Sequence, residues 1–275
     1  MSNKQDNYIL VSPSRLKEFE LLTSTLNDLN LFKLNILEIG GGSGWQVKKL
    51  LDQGHQVISI DVKEKSDYNL NISNVILYDG FNIPFEEKKF DMVFTSHVLE
   101  HIPHVEKFQT EIHRVLKDDG ICAHFMPTSQ WKIIGLIVWF PHIIKTLIKY
   151  VLTKFNFKNI ETEKTFPSDL YVNRMVKRTI FQNLFLAFIE LKFFPKRHGE
   201  IGNPITEIYY FSFYRWKKLF IKTNWKIIKY KKSGIFFTGY SIFEGWPKSN
   251  NFRKFLSTIF GSSSHFFILG KKNKL

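Results

Sequence analysis

Four glycines fall within residues 40–44, directly after a short apolar run. Glycine takes positive φ angles at little cost and lets a ligand approach the backbone without meeting a Cβ atom. The spacing does not fit the dinucleotide pattern G-x-G-x-x-G, because the last position counted from Gly40 is Trp45. The turn therefore predicts a ligand site of another type. The pattern that fits is E-x-G-x-G-x-G, formed by Glu38, Gly40, Gly42 and Gly44.

Acidic residues end the next two apolar runs. Asp61 stands 21 positions after Gly40, and a carboxylate at the tip of a second strand can accept both hydroxyls of a ribose. Asp79 ends the following run and precedes Gly80 and Phe81. An aspartate at a strand end is by itself an ordinary solvated residue. With the glycine turn upstream, Asp61 indicates a ribose-containing cofactor.

Histidines supply the candidate proton acceptors. His97 and His101 are one helical turn apart and His104 is close by, so packing, proton transfer by His101 and a metal pair all stay open. We predict no metal site. His198 lies in the polar loop 195–204, which is either a plain connector or a loop that reaches the acceptor. We therefore predict His198 and His101 as the candidate catalytic bases.

The surrounding pattern predicts the elements that must position these residues. Short apolar runs alternate with helix-like stretches at 45–53 and 105–116, which predicts an α/β fold. We expect a Rossmann-like, doubly wound, mostly parallel seven-stranded sheet with a helical insertion after the fifth strand. The predicted strands are 36–39, 56–60, 75–78, 90–95, 121–126, 225–230 and 265–269.

The alternation stops after Pro127, and this break defines the predicted domain organisation. Residues 1–127 form the cofactor-binding core, and residues 128–211 form a basic, apolar helical insertion that caps the acceptor or contacts a membrane. Residues 212–275 supply the last crossover helix, at 212–224, and two closing strands. The single cysteine, Cys122, lies in an apolar strand, which predicts a packing role and excludes an intramolecular disulfide framework.

The segment from Ile36 to Pro127 resembles the type 11 group of class I S-adenosylmethionine-dependent methyltransferases. Besides the glycine turn, three motifs stand in that family's order and spacing: P-F-x-x-x-x-F-D-x-V at 84–93, V-L-E-H-I at 98–102 and E-I-x-R-V-L-K-x-x-G at 111–120. More loosely, residues 198–203 and the closing strand are similar to parts of bacterial methyltransferases of surface-polysaccharide biosynthesis. The resemblance implies an enzyme that uses S-adenosyl-L-methionine.

The resemblance also implies roles for single residues. Asp61 would hold the ribose and Asp79 would accept from the adenine amino group, while Glu38 would orient the glycine turn or the amino group of the donor. Positions just after the fourth strand would lie near the methionine moiety. The residues implied to bind the cofactor are Glu38, Gly40, Gly42, Gly44, Asp61, Asp79, Gly80, Phe81, Ser96 and His97.

Charge divides the 275-residue chain into two halves. Residues 1–127 hold 13 Lys and Arg against 18 Asp and Glu, whereas residues 128–275 hold 26 against 7, so the net charge of +14 comes from the second half. That half also holds 20 of the 28 Phe residues. A basic, aromatic half suits an anionic membrane surface, a nucleic acid or a polyanionic substrate, but an A/T-rich genome produces the same bias.

The helix-prone run 131–155 is the part that suits a membrane surface. Its longest uncharged stretch is too short to cross a bilayer, and beyond Pro141 its apolar residues fall on one face with Lys145, Lys149 and Lys154 elsewhere. Core helices over an acceptor pocket would show the same period. The polar N-terminus does not resemble a secretory signal. We therefore expect a cytoplasmic protein, with peripheral contact to the inner face of the membrane as the open alternative.

Three functions follow from these observations. The favoured one is methyl transfer to an oxygen of a small or amphiphilic acceptor, such as a saccharide or a lipid-linked intermediate. An RNA methyltransferase is the second, but Thr95-Ser96-His97-Val98 differs from the N/D-P-P-Y/F segment of amino-methylating enzymes, so we expect no nucleic-acid partner. The third is a non-catalytic relative that binds an acceptor but not the cofactor. The intact set of Gly40, Gly42, Gly44, Asp61 and Asp79 argues against it.

Overall fold

A computed structural model describes residues 13–62, 75–154, 195–236 and 250–272 of the chain. Seven strands of this part form one sheet in the order β3-β2-β1-β4-β5-β7-β6. Strands β1 to β5 pair in parallel, and β7 runs antiparallel to both of its neighbours. The strands are β1 Asn35–Ile39, β2 Gln56–Asp61, β3 Val75–Leu77, β4 Phe90–Ser96, β5 Leu116–Pro127, β6 Trp225–Lys232 and β7 Ser264–Lys271.

Helices cover both faces of this sheet, as the sequence predicted. The first helices are α1 Pro13–Asp28, α2 Trp45–Asp52, a 3₁₀ turn Leu99–His101 and α3 Val105–Val115. The later ones are α4 Ser129–Lys154, the short α5 Glu207–Tyr210, α6 Phe213–Lys222 and α7 Asn250–Phe260. The Rossmann-like, doubly wound, mostly parallel fold is therefore confirmed.

The core follows from the alternation of side chains along each strand. Ile36 packs with Leu22 of α1 and Leu50 of α2, while its neighbour Leu37 packs on the opposite face with Ile112 of α3. Successive strand residues point to opposite faces, so a parallel strand covered by helices on both sides is apolar throughout. Cys122 is fully buried in β5, which confirms its predicted packing role.

Helix α7 was not predicted, although its apolar residues recur at helical spacing. Phe255 and Ile259 are exposed, whereas Arg253 is buried beside Leu256. The apolar residues at 252, 255, 256, 259 and 260 have the spacing of an amphipathic helix, and only the structure shows that most of them stay exposed.

The described residues divide into two compact units. Residues 13–62, 75–133, 197–236 and 250–272 belong to the first, and residues 134–154 and 195–196 belong to the second. Helix α4 thus begins in one unit and continues into the other. Residues 155–194 of the predicted insertion lie outside the described residues, and the predicted boundaries at 127 and 211 stay predictions.

Candidate active site

The glycine turn lies at the carboxyl end of β1, beside β4. The strand order reverses between these two strands, which is where open α/β sheets bind ligands. Gly40 and Gly42 have φ angles of 78° and 49°. A Cβ atom on Gly40 would lie 2.4 Å from Val98 Cγ2, and one on Gly41 would lie 1.8 Å from Ser59 Oγ. Only glycine fits here, so the turn is a backbone cradle.

Carboxylates flank this cradle on two sides. Asp61 Oδ2 accepts a hydrogen bond from the Gly42 amide at 3.0 Å, which places the carboxylate at the edge of the turn. Glu38 is buried and accepts from Ser59 Oγ at 2.9 Å, and one of its oxygens lies against Gly41. Gly44, with a φ of 76°, caps helix α2. The arrangement fits a nucleoside cofactor whose ribose would lie over Asp61.

Asp79 shapes the next loop along the sheet edge. Its carboxylate accepts from the Phe81 and Asn82 amides at 2.8 and 2.7 Å, and these hydrogen bonds, that of Asn82 foremost, lower the pKa of Asp79. Gly80 has a φ of 83°, and the Phe81 ring is 57% exposed. A cavity of about 440 Å³ is lined by Gly80, Phe81 and Ile102, among others. The loop offers an apolar wall, and its contact with adenine stays a prediction.

Helix α1 closes the end of β4 with a buried charge network. Ser96 Oγ accepts from Arg15 at 2.8 Å, and His97 Nε2 lies 3.0 Å from Glu18 Oε1. Ser264 Oγ also donates to Glu18. Burial acts to raise the pKa of Glu18, but the charge and hydrogen bond of His97, with smaller effects of Arg15 and Ser264, lower it to about 2.

His97 is held between two buried carboxylates. Its Nδ1 atom lies 3.5 Å from Glu100 Oε1, on the side opposite Glu18. Burial acts to lower the pKa of His97, but Glu18 and Glu100 outweigh it, so the pKa is raised. The φ of His97 is +57°, a backbone conformation that residues other than glycine rarely adopt. Such conformations are concentrated at functional sites. The predicted roles of Ser96 and His97 toward the cofactor stay predictions.

The two predicted bases meet beside Glu100. His101 Nε2 and His198 Nε2 lie 4.0 and 3.9 Å from Glu100 Oε1, and one facing atom from each of the three residues lies within 4.8 Å of the others. The rings of His101 and His198 pack edge to face at 4.9 Å. The Glu100 side chain is fully buried, whereas those of His101 and His198 are 42% and 38% exposed. Such a cluster can relay a proton or bind a divalent cation.

A second buried carboxylate fixes the loop that carries His198. Glu207 Oε1 accepts from the amides of His198 and Gly199, at 2.6 Å each. Lys132, itself almost fully buried, pairs with the other oxygen of Glu207. The ring of Trp131 then contacts His198 edge to face at 4.9 Å. The position of His198 is therefore set by its backbone as well as by its ring.

Comparisons with known proteins agree with this geometry. A family model described as "Methyltransferase domain" matches residues 37–124, which include the glycine turn, Asp61, Asp79 and Glu100. The solved structure of an S-adenosylmethionine-dependent methyltransferase from Mesorhizobium loti aligns with 92% of this chain and 97% of its own, at a TM-score of 0.50 and 12% identity. That likeness concerns the fold. Residues 37–124 thus carry a methyltransferase domain of the type 11 group, as the sequence predicted.

Curated relatives match the chain over part of their length. A ubiquinone biosynthesis O-methyltransferase from Rickettsia canadensis is 30% identical over 143 residues, which cover 46% of this chain and 58% of the relative. A homologous protein of the same name from Rickettsia felis is 28% identical, with 46% and 56% covered. The chain thus spans somewhat more than half the length of these two relatives. The prediction of S-adenosylmethionine as cofactor is confirmed.

The structure also brings together candidate functional residues that the sequence did not indicate. Glu100 was noted only as part of V-L-E-H-I, and no role was assigned to Glu18, Lys132 or Glu207. A glutamate in an amphipathic helix usually indicates a solvated position. All four side chains are buried, and only their tertiary partners show that.

Proposed function

We propose that this chain transfers a methyl group from S-adenosylmethionine to an oxygen atom of a small or amphiphilic acceptor. The observation that carries the proposal is the backbone cradle at residues 40–44, where no Cβ fits at Gly40 or Gly41, with Asp61 hydrogen-bonded at its edge. An oxygen acceptor is supported by the relatives that are named O-methyltransferases and by the imidazole cluster beside the same sheet edge. A saccharide or a lipid-linked intermediate is the acceptor class that we propose.

The residues of the cradle would hold the cofactor, which supplies an electrophilic methyl carbon when bound. The glycine turn gives close approach, Asp61 would accept from the ribose hydroxyls, and Phe81 would cover the adenine ring. Val98 lies against Gly40, and His101 donates its amide to the Val98 carbonyl at 2.8 Å. The cofactor turn and the histidine cluster thus share one neighbour. Proximity of two reactants is the main contribution that an enzyme makes to such a displacement.

A hydroxyl acceptor must lose one proton, and we propose His198 as the base, with His101 as the second candidate. Both rings are partly exposed, so an acceptor can reach them, and both face the buried carboxylate of Glu100. We favour proton transfer over cation binding because His97 already lies 3.5 Å from the oxygen of Glu100 that a metal ion would have to use.

We also propose that helix α4 places the protein against an anionic membrane surface, which would suit an amphiphilic acceptor. Ile137, Phe140, Ile144 and Ile148 recur at helical spacing and are 41–61% exposed. Helix α4 contains no acidic residue, and Lys145 is exposed on it. Within the part of the chain that the structure describes, no helix is long and apolar enough to span a bilayer. An apolar stripe with basic neighbours is the pattern of an interfacial helix.

Vesicle sedimentation tests the membrane proposal. The full chain should bind vesicles of phosphatidylcholine with phosphatidylglycerol, less so at high salt, and binding should fall in the double variant Ile144→Glu with Ile148→Glu. The control Ile205→Glu alters an apolar residue that is 65% exposed elsewhere and should bind like the unmodified protein. If both variants sediment equally with the vesicles, the proposal that α4 contacts the membrane is contradicted.

Calorimetry with S-adenosylhomocysteine tests the proposed enzyme function. We expect binding to the unmodified protein and at least a tenfold weaker affinity for Asp61→Ala, because the ribose hydroxyls lose a charged acceptor. The control Asp52→Ala removes an exposed aspartate at the end of α2 and should leave the affinity unchanged. Absence of binding, or equal binding by Asp61→Ala, would contradict the proposal.

A further inference from the structure

Glu100 is an unusual carboxylate in this molecule. Its side chain is fully buried, yet neither of its oxygens has a hydrogen-bond partner among the described residues. Three imidazole rings lie around one of those oxygens instead, those of His97, His101 and His198, at 3.5 to 4.0 Å. An ionised carboxylate that makes no hydrogen bond is strongly disfavoured in a protein interior. Such a group in a native structure indicates a functional role.

The charge behind Glu100 explains why it stays ionised. His97 lies between Glu100 and Glu18, and Glu18 is further paired with Arg15. Burial acts to raise the pKa of Glu100, but the 3.5 Å contact with His97 and the charge of His97, with the charge of His101, lower it. Arg15 and His97 together offset the charges of Glu18 and Glu100. The Glu100 carboxylate also faces the two exposed rings of His101 and His198.

The loop of His198 is docked on the backbone of Glu100. The Glu200 amide donates to the Glu100 carbonyl at 2.9 Å, and a Cβ atom on Gly199 would lie 2.8 Å from that same oxygen. Because Gly199 follows His198 directly, the close approach of backbones requires glycine and brings the His198 ring to Glu100. The two amides held by Glu207 complete this attachment.

We infer that Glu100 is a positioning residue: its buried carboxylate holds the His198 imidazole in place and stabilises that imidazole once it has taken the acceptor's proton. This inference rests on the proposed methyl transfer. In that reaction the O–H bond of the acceptor breaks and its proton goes to a ring nitrogen of His198. The electron pair stays on the oxygen, which forms the new bond to the methyl carbon, while the pair of the broken C–S bond stays on sulfur. His198 and Glu100 then form a neutral pair.

The separations of 3.9 and 4.0 Å suit this role in the absence of an acceptor, since catalytic hydrogen bonds are often long before the substrate binds. Four charged or titratable groups act on His198: Glu100, His101, His97 and Glu207, of which Glu207 is paired with Lys132. Burial lowers the pKa of His198 and is the largest influence, whereas Glu100 acts to raise it. Removal of Glu100 and removal of His101 should therefore move this pKa in opposite directions.

Nuclear magnetic resonance of the histidine ring signals tests the inference, and needs neither cofactor nor acceptor. The His198 signal is assigned by its loss in His198→Gln, and its pKa is measured after dialysis against a chelator. We expect a lower pKa in Glu100→Gln and a higher one in His101→Gln. The control Glu200→Gln removes an exposed charge from the same loop and should leave the pKa unchanged.

An unchanged or raised His198 pKa in Glu100→Gln would overturn the inference. If Glu100→Gln does not fold, His101→Gln is the deciding variant, because the His101 side chain is 42% exposed. An unchanged or lowered His198 pKa in His101→Gln would also overturn the inference. The result is separate from the proposed function. Failure of S-adenosylhomocysteine to bind would contradict the proposed methyl transfer but would not affect the measured coupling of Glu100 to His198.

Discussion

The pair formed by Lys132 and Glu207 offers a quantitative test of how the His198 loop is held. The Lys132 side chain is 7% exposed and that of Glu207 is fully buried. Replacement Lys132→Met keeps the length of the aliphatic stem but leaves the Glu207 carboxylate without its counter-charge. Loss of one partner from a buried ion pair destabilises a protein by about 3–5 kcal/mol. We expect a loss of that size in the free energy of unfolding.

The magnitude can be checked by urea denaturation followed by circular dichroism, and by the melting temperature. For a chain of this size, 1 kcal/mol corresponds to roughly 2–4 °C, so the melting temperature should fall by about 6 °C or more. Lys222→Met is the matched control, because Lys222 and Glu106 form a similar pair with side chains 63% and 53% exposed. An exposed pair contributes about 0–1 kcal/mol, so the control should change little.

A double variant separates the charge from the hydrogen bonds. Glu207→Gln in the Lys132→Met background removes the unpaired charge but leaves an oxygen that can accept from the His198 and Gly199 amides. We expect part of the lost stability to return. If Lys132→Met costs no more than Lys222→Met, Glu207 is reached by water in solution, and the argument that it fixes the His198 loop is refuted.

Three further predictions concern the cofactor side and the acid limit of stability. Gly40→Ala should abolish S-adenosylhomocysteine binding in calorimetry, because a Cβ there meets Val98, whereas Gly54→Ala, with a φ of 85° and open space, should bind normally despite similar backbone strain. Phe81→Ala should weaken binding by roughly five- to tenfold through lost ring stacking, and Phe32→Ala, 61% exposed, should not. Glu18, whose pKa falls from 4.5 to about 2 on folding, contributes stability above pH 4.5 that is lost as the pH falls toward 2. Denaturant titrations of Glu18→Gln should lack this loss of about 3 kcal/mol, and an equal acid loss in that variant would contradict the assignment.

Much of the fold follows from local pattern. Strands β1 and β4 and the second half of β5 are largely buried on both faces, so each is a short apolar run in the sequence. Helices α2 and α3 are amphipathic because one face packs on the sheet. Helix α7 has the same amphipathic spacing, but the sequence does not show that most of its apolar side chains stay exposed.

The cofactor turn could be found from the sequence because its chemistry depends on residue types at fixed local spacing. Glycines at 40, 42 and 44 are needed for positive φ angles, and an aspartate that ends the second strand meets them whenever the two strands are parallel neighbours. Both conditions are local or follow from the α/β alternation. Sequence alone thus determined the fold class, the family and the candidate cofactor residues.

The histidine cluster depended on tertiary structure. His198 is 97 positions after His101, and only folding brings its ring to Glu100 and His101. Glu18, Glu100 and Glu207 are buried only because of the fold. Inside it, His97 lowers the pKa of Glu18 and Glu100, although burial acts to raise it. Burial and long-range contact depend on the whole chain, so the candidate base and its positioning residue emerged only from the tertiary structure.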